Sequence, residues 1–212
     1  MIIRSLLVCS LLVLASCTGT AVVPPVTVDA PTGLSATPGN YAVTIQSGGW
    51  ALTTKSAGHT CGAWKFDTDV NGSYETAIRD VLTRSLQKTN FVSDTYTPEK
   101  LKIEGMNAQV IVYQGNASSN FSVGQNLFSG TAMSQVELTV TLAIIDQNGL
   151  NYQQTISGTG SSNIEIFTCP KIGEAIGKAA QNAIRAVGKD IMLYVRDGLR
   201  ERLLKTVATP QS

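Results

Sequence analysis

The chain has 212 residues, 43% of them hydrophobic, and a formal charge of +1 from 16 basic and 15 acidic side chains. That length accommodates one sizeable domain with its own core. Near-neutrality excludes a general nucleic-acid binder, which needs a basic surplus to displace counterions from phosphates.

The chain opens with Met1 to Arg4, which carry positive charge, and an apolar run from Ser5 to Leu14. About ten residues are too few to span a bilayer as a helix, which takes about 20. The run ends on Leu14-Ala15-Ser16, the small-residue finish of a cleaved secretory signal, and Cys17 follows at once. Leu-Ala-Ser-Cys resembles the lipobox of bacterial lipoproteins. The resemblance implies that residues 1–16 are a signal peptide, that Cys17 becomes the first residue, and that its sulfur is acylated. Loss of Arg4 then leaves the mature chain with no net charge. Several acyl chains, at about 0.8 kcal/mol per buried CH₂, make a firm anchor where one would be marginal.

The cysteines agree with that compartment. Cys9 leaves with the signal and Cys17 takes lipid, so Cys61 and Cys169 remain as a pair. In an oxidising space the expected state is a disulfide. Closing a loop of roughly 107 residues would stabilise the fold by about 4 kcal/mol in the chain-entropy model. A metal or redox pair is the alternative, without the Cys-x-x-Cys spacing that would favour it.

Residues 17–40 carry Pro24, Pro25, Pro31 and Pro38 and read as a tether. Extended at about 3.1 Å per residue, it would hold a domain roughly 60–70 Å from the membrane. Thr18 stands where, by the resemblance, aspartate would mark retention at the inner membrane, which implies the outer membrane, periplasmic side. A single domain is expected over 41–212. Tyr41 to Ile45 alternates apolar and polar residues as a half-buried strand does, and Trp50 to Thr54 reads as a second strand or its continuation past a bulge at Gly48-Gly49. Trp64 to Asp67 is a short extended piece. A helix begins after Asn71-Gly72-Ser73, with Glu75 in its first turn, and presents Tyr74, Ala77, Ile78, Val81, Leu82 and Leu86 on one stripe up to about Thr89.

Leu101–Glu104 and Ala108–Tyr113 are candidate strands. The Asn/Ser/Gly-rich stretch 114–134 reads as a long loop or an irregular edge strand. Val136, Leu138, Val140, Leu142 and Ile144 then alternate strictly with polar residues, the mark of a sheet with one covered face. Asp146 to Gly149 supplies a hairpin turn with glycine at a positive-φ position, and Tyr152–Gly158 returns. From Cys169-Pro170, an apolar stripe from Ile172 to Leu203 predicts a helix of about 33 residues and about 50 Å. A ten-residue strand reaches only about 33 Å, so the helix is expected to overhang its sheet. The predicted architecture is α+β: a two-layer sandwich, mostly antiparallel, with two amphipathic helices on one face, the C-terminal one long.

Few motifs suggest chemistry. Asp67-x-Asp69-x-Asn71-Gly72 matches the opening of a calcium loop, but Ile78 occupies the twelfth position where a bidentate glutamate belongs. A strand-to-helix turn explains the acids better. His59 is the sole histidine, and no nucleophile elbow or phosphate loop accompanies it. No metal, cofactor or catalytic residue is assigned, and an enzyme is not expected. Arg196, Arg200, Arg202 and Lys205 form a basic cluster near the end of the last helix and are the candidate partner-binding residues.

The stretches LASC at 14–17, VELTVTLAIIDQNG at 136–149 and PKIGEAIGKAAQNAI from 170 together resemble small outer-membrane lipoproteins of the YajG-like and lipopolysaccharide-assembly kinds. The resemblance implies a non-catalytic, lipid-anchored accessory of a secretion, flagellar or outer-membrane transport complex. Its partners would be the membrane, through the anchor, and an envelope protein or further copies of itself. A binding module for a periplasmic glycolipid or cell-wall fragment is the second expectation.

Overall fold

The computed structural model describes residues 18–20, 41–54, 65–67, 73–89, 107–123, 131–146, 149–165, 169–199 and 201. The elements in order are β1 (Thr18–Thr20), β2 (Tyr41–Thr54), β3 (Lys65–Asp67), α1 (Ser73–Lys88), β4 (Asn107–Val123), β5 (Thr131–Asp146), β6 (Gly149–Glu165) and α2 (Cys169–Leu193). A π-helical segment, Tyr194–Leu199, continues α2.

The main sheet has the order β2-β4-β5-β6, and a small second sheet pairs β1 with β3. It is a mixed sheet: β4–β5 and β5–β6 are antiparallel, whereas β2 lies parallel to β4. Parallel neighbours need a crossover, and the connection that carries α1 provides it. The fold is therefore α+β with two helices, and the parallel pair is the feature that the hydrophobic pattern did not reveal.

β5 is central, and its alternation is realised as expected. Val136, Leu138, Val140, Leu142 and Ile144 are at most 3% exposed. They share a core with Tyr74, Ile78, Val81, Leu82 and Leu86 of α1 and with Ala179, Ala180, Ala183, Ile184, Val187 and Ile191 of α2. Toward one end the opposite face carries Glu137, Gln135 and the half-exposed Met133, and its middle carries short hydroxyl side chains. There Thr139 and Ser157 hydroxyls meet at 3.0 Å, and those of Thr141 and Thr155 at 3.2 Å, each pair directly cross-strand. Gly149 sits at φ +121°, as the hairpin required.

α1 ends at Thr89. Its hydroxyl donates to the carbonyls of Ser85 and Leu86, both at 2.9 Å, and its amide donates to Leu86 O at 3.0 Å. These bonds satisfy carbonyls that the last turn leaves open. α2 packs on β5 and β6. It comes closest at Gly160, where an added Cβ would fall inside the van der Waals surfaces of the Ala179 carbonyl and the Ala183 amide. The backbone of the helix rests on the backbone of the strand there, a fit that only small residues permit. Asn182 also donates from its amide to Ser161 O at 3.0 Å.

Two expectations are corrected. The first part of the 114–134 stretch is neither loop nor edge: Gln114–Ser119 continues β4 between β2 and β5, Asn120–Val123 extends it in pairing with β5, and Thr131 already belongs to β5. Its Asn and Ser residues alternate with Ala117 and Ser119 on the covered side, so the composition of a loop hides a strand. The length argument for an overhanging last helix also changes: α2 with its π-helical continuation runs from Cys169 to Leu199, about 45 Å, while β6 has 17 residues, about 55 Å, and not the ten assumed for a partner strand. Residues Leu101–Glu104 lie outside the described residues.

Candidate functional site

The C-terminal end of α2 holds one of the four predicted partner-binding residues. Arg196 lies in the π-helical segment, and its Nε and Nη2 donate to the two carboxylate oxygens of Asp197 at 2.7 and 2.6 Å. This fork pairs its charge with that of its neighbour. The guanidinium holds the Asp197 carboxyl below its ordinary value, and the hydrogen bond to Asp197 raises Arg196. Tyr194 stacks on Tyr152 of β6, with ring centroids 6.3 Å apart and planes at 23°. The Tyr152 hydroxyl donates to Gln154 Oε1 at 2.8 Å. Arg200, Arg202 and Lys205 lie outside the described residues, as do Cys17, Cys61 and His59. Cys169 begins α2. Of the calcium-loop pattern, Asp67 closes β3 and Ile78 is wholly buried in α1, while Asp69 and Asn71 lie outside the described residues. No described helix is long and apolar enough to cross a membrane.

The structure brings together a second set of side chains, at the edge strand β2. The β2–β4 register shifts between Ser47 and Trp50, which makes Gly48-Gly49 a bulge. Gly49 takes φ +106°, in the left-handed region that glycine enters without steric cost. The bulge sets Ser47 opposite Tyr113 and Trp50 opposite Gly115. The indole lies directly on Gly115, where a Cβ would enter its ring. Its other neighbour is Tyr113, met edge-on with centroids 6.5 Å apart and planes at 62°.

From the other side comes the first turn of α1. The Tyr113 hydroxyl donates to the Glu75 carboxylate and accepts from Ser47, with Arg79 nearby. Burial pushes the Tyr113 hydroxyl above its ordinary value, and the negative charge of Glu75 acts in the same direction, against the smaller opposing effects of Arg79 and the Ser47 bond. Tyr113 is only 1% exposed. Ser47 and Arg79 are exposed, and Trp50 and Glu75 are half-buried. The Trp50 indole N–H is buried and has no partner among the described residues. Leu52, two residues on and facing the same way, is 42% exposed.

Composition and periodicity missed this group. The two glycines before Trp50 were its one local signal. The approach of Tyr113 and Glu75, 38 positions apart, depends on the parallel register.

No protein-family model matches the sequence, and no curated protein matches it. Solved structures do match. A neuraminyllactose-binding hemagglutinin homolog from Helicobacter pylori is 14% identical, with 86% of this chain and 98% of that one covered and a TM-score of 0.55. A minor lipoprotein from Acinetobacter baumannii is 13% identical over 71% of this chain and 92% of that one, with a TM-score of 0.40. The rare lipoprotein B from Shewanella oneidensis is 6% identical over 75% and 98%, also at 0.40. The Helicobacter likeness establishes a shared fold.

Proposed function

We propose that this is a lipid-anchored, non-catalytic protein of the periplasmic side of the outer membrane that supports a cell-envelope assembly. The anchor reading rests on Leu14-Ala15-Ser16-Cys17. One structural observation supports a working position at the membrane. Thr18–Thr20, immediately after Cys17, pairs in parallel with Lys65–Asp67, and the same strand touches α2. An acylated Cys17 would then stand one residue from a strand of the folded domain, which would hold that domain nearer the bilayer than a fully extended 17–40 tether would. A finer expectation follows, of a secretion, flagellar or outer-membrane transport complex or of a homo-oligomer, with residues 196–212 as the contact.

The test is extraction of the acylated protein from native membranes in mild detergent, followed by identification of stoichiometric companions by mass spectrometry. Cys17→Ser should release the protein from the membrane, and deletion of 196–212 should remove the companion. Release of neither would refute the anchor and the contact, respectively.

A second reading is a binding module for a periplasmic glycolipid or cell-wall ligand. The half-buried Trp50 beside Ser47, Glu75 and Arg79 favours it, as does the fold shared with the homolog of a neuraminyllactose-binding hemagglutinin.

A further inference from the structure

We propose that the β2 bulge is a saccharide-binding site, in which Trp50 packs against a sugar ring while Ser47, Glu75 and Arg79 hydrogen-bond its hydroxyls. This rests on the binding-module reading and gives it a location and a ligand class.

The argument begins with the donor and acceptor inventory. Glu75 offers a carboxylate acceptor, Arg79 a guanidinium donor, and Ser47 a hydroxyl that does both. Ser47 and Arg79 are exposed and Glu75 is half-buried, so all three are open to solvent at one edge of the sheet. The charges of Glu75 and Arg79 cancel, and the site therefore selects for a ligand rich in hydroxyls over a strongly charged one. Next to this polar set stands a half-buried indole with Leu52 beyond it on the same side. An aromatic surface flanked by a few directed polar groups matches the amphipathic faces of a pyranose, with apolar C–H groups on one side and hydroxyls at the rim. The indole N–H is buried and has no partner among the described residues, a donor whose desolvation stays uncompensated until an acceptor meets it.

The arrangement is also held in place before any ligand arrives. Trp50 is seated on Gly115 and braced by Tyr113. Tyr113 ties Ser47 on the strand to Glu75 on the helix. Glu75 and Arg79 are four residues apart on α1 and so share a face. Groups fixed by regular elements lose little freedom on binding.

The experiment uses the full acylated chain in mild detergent, with lactose and neuraminyllactose as probes. Both present pyranose rings, and the second adds a carboxylate. Binding is read by saturation-transfer NMR and by tryptophan fluorescence. At least one sugar should bind saturably, with Kd on the order of 0.1–1 mM, and transfer should be strongest at ring C–H protons. Equal affinity for the two would mean that the site reads the neutral ring, and tighter neuraminyllactose would add Arg79 to a carboxylate. Either result supports the site. Trp50→Leu, Glu75→Gln and Arg79→Ala should each weaken binding about tenfold. The last two alter exposed or half-buried polar groups, so an unchanged melting temperature confirms that the fold is kept. Arg185→Ala, on the exposed side of α2, should bind as the parent does. Absence of saturable binding of both sugars up to about 10 mM overturns the proposal. So does binding that E75Q and R79A leave intact, although in that case the binding-module reading survives at another place. Companions found in native membranes stand or fall independently of either result.

Discussion

Gly160→Ala is the sharpest test of how α2 sits on the sheet. Gly160 lies on β6 opposite Val136, on the covered face. A Cβ there would approach the Ala179 carbonyl and the Ala183 amide well inside the 3.0 Å that real Cβ atoms essentially never breach, with the Asn182 carbonyl carbon at 2.9 Å. All three obstacles are helix backbone, so no rotamer change relieves them. Either α2 lifts off β6 or the strand bends. Overpacking of well-packed cores costs 1–3 kcal/mol, and a backbone-on-backbone clash belongs near the top, about 3 kcal/mol. For a domain of this size 1 kcal/mol moves Tm by about 2–4 °C, so the expected loss is roughly 6–12 °C. Gly158→Ala is the graded comparison. Its Cβ would meet the Val187 side chain at 2.9 Å and Ala186 Cβ at 3.1 Å. A valine methyl can yield, and the expected loss is about 1 kcal/mol. Thermal unfolding by circular dichroism measures both. A Gly160→Ala protein that melts within about 2 °C of the parent, or a Gly158→Ala protein that loses more, would refute this docking.

Two further perturbations probe buried hydroxyls with opposite expected signs. Tyr113→Phe removes a hydroxyl bonded to Ser47 and Glu75 and should cost about 1–2 kcal/mol at pH 7. Because folding raises the pKa of Tyr113, that contribution is complete below the unfolded value near 10 and is lost as pH climbs through the higher folded value. The Tm gap between parent and variant should therefore hold from pH 7 to about 10 and narrow above it, and a gap unchanged at pH 11 would show that the hydroxyl is not held in this way. Ser134→Ala removes a wholly buried hydroxyl that has no partner among the described residues. Its loss should leave Tm unchanged or raise it by a few degrees, because an orphaned hydroxyl opposes folding. A clear drop in a thermal melt would mean that the hydroxyl is bonded.

The elements legible in the sequence are those whose periodicity is enforced by burial. β5 was readable because every second residue from Val136 to Ile144 meets helices on one side and water on the other. α1 was readable because Tyr74, Ile78, Val81, Leu82 and Leu86 all reach one core, and Thr89 was readable as its end. β4 beyond Gln114 was not. Its covered positions are Gly115, Ala117 and Ser119, small residues that tuck beneath Trp50 or sit toward the end of the sheet, and none carries enough hydrophobicity to register as a strand. The same reasoning explains the second half of β6. Gly158 and Gly160 look like loop residues, yet they are there because α2 lies almost on the strand. Small residues at covered positions report the closeness of a neighbour, and a sequence pattern tuned to large apolar side chains passes over them.

The bulge site was hidden for a related reason. Ser47, Trp50, Glu75, Arg79 and Tyr113 come from three elements, and beyond the helical i, i+4 spacing of Glu75 and Arg79 no sequence spacing links them. What assembles them is the parallel register of β2 on β4, which sets Ser47 opposite Tyr113, and the crossover that brings the first turn of α1 back over that strand pair. A one-residue slip of β2 on β4 would send Ser47 to the opposite face of the sheet, while Tyr113, held in register by β5, would stay on the core side. The glycine pair fixes where the extra residue of β2 lies, between Ser47 and Trp50. The same two glycines that looked like punctuation therefore fix which polar side chains stand beside the indole. The chemistry of this edge follows from backbone geometry first and from side-chain identity second.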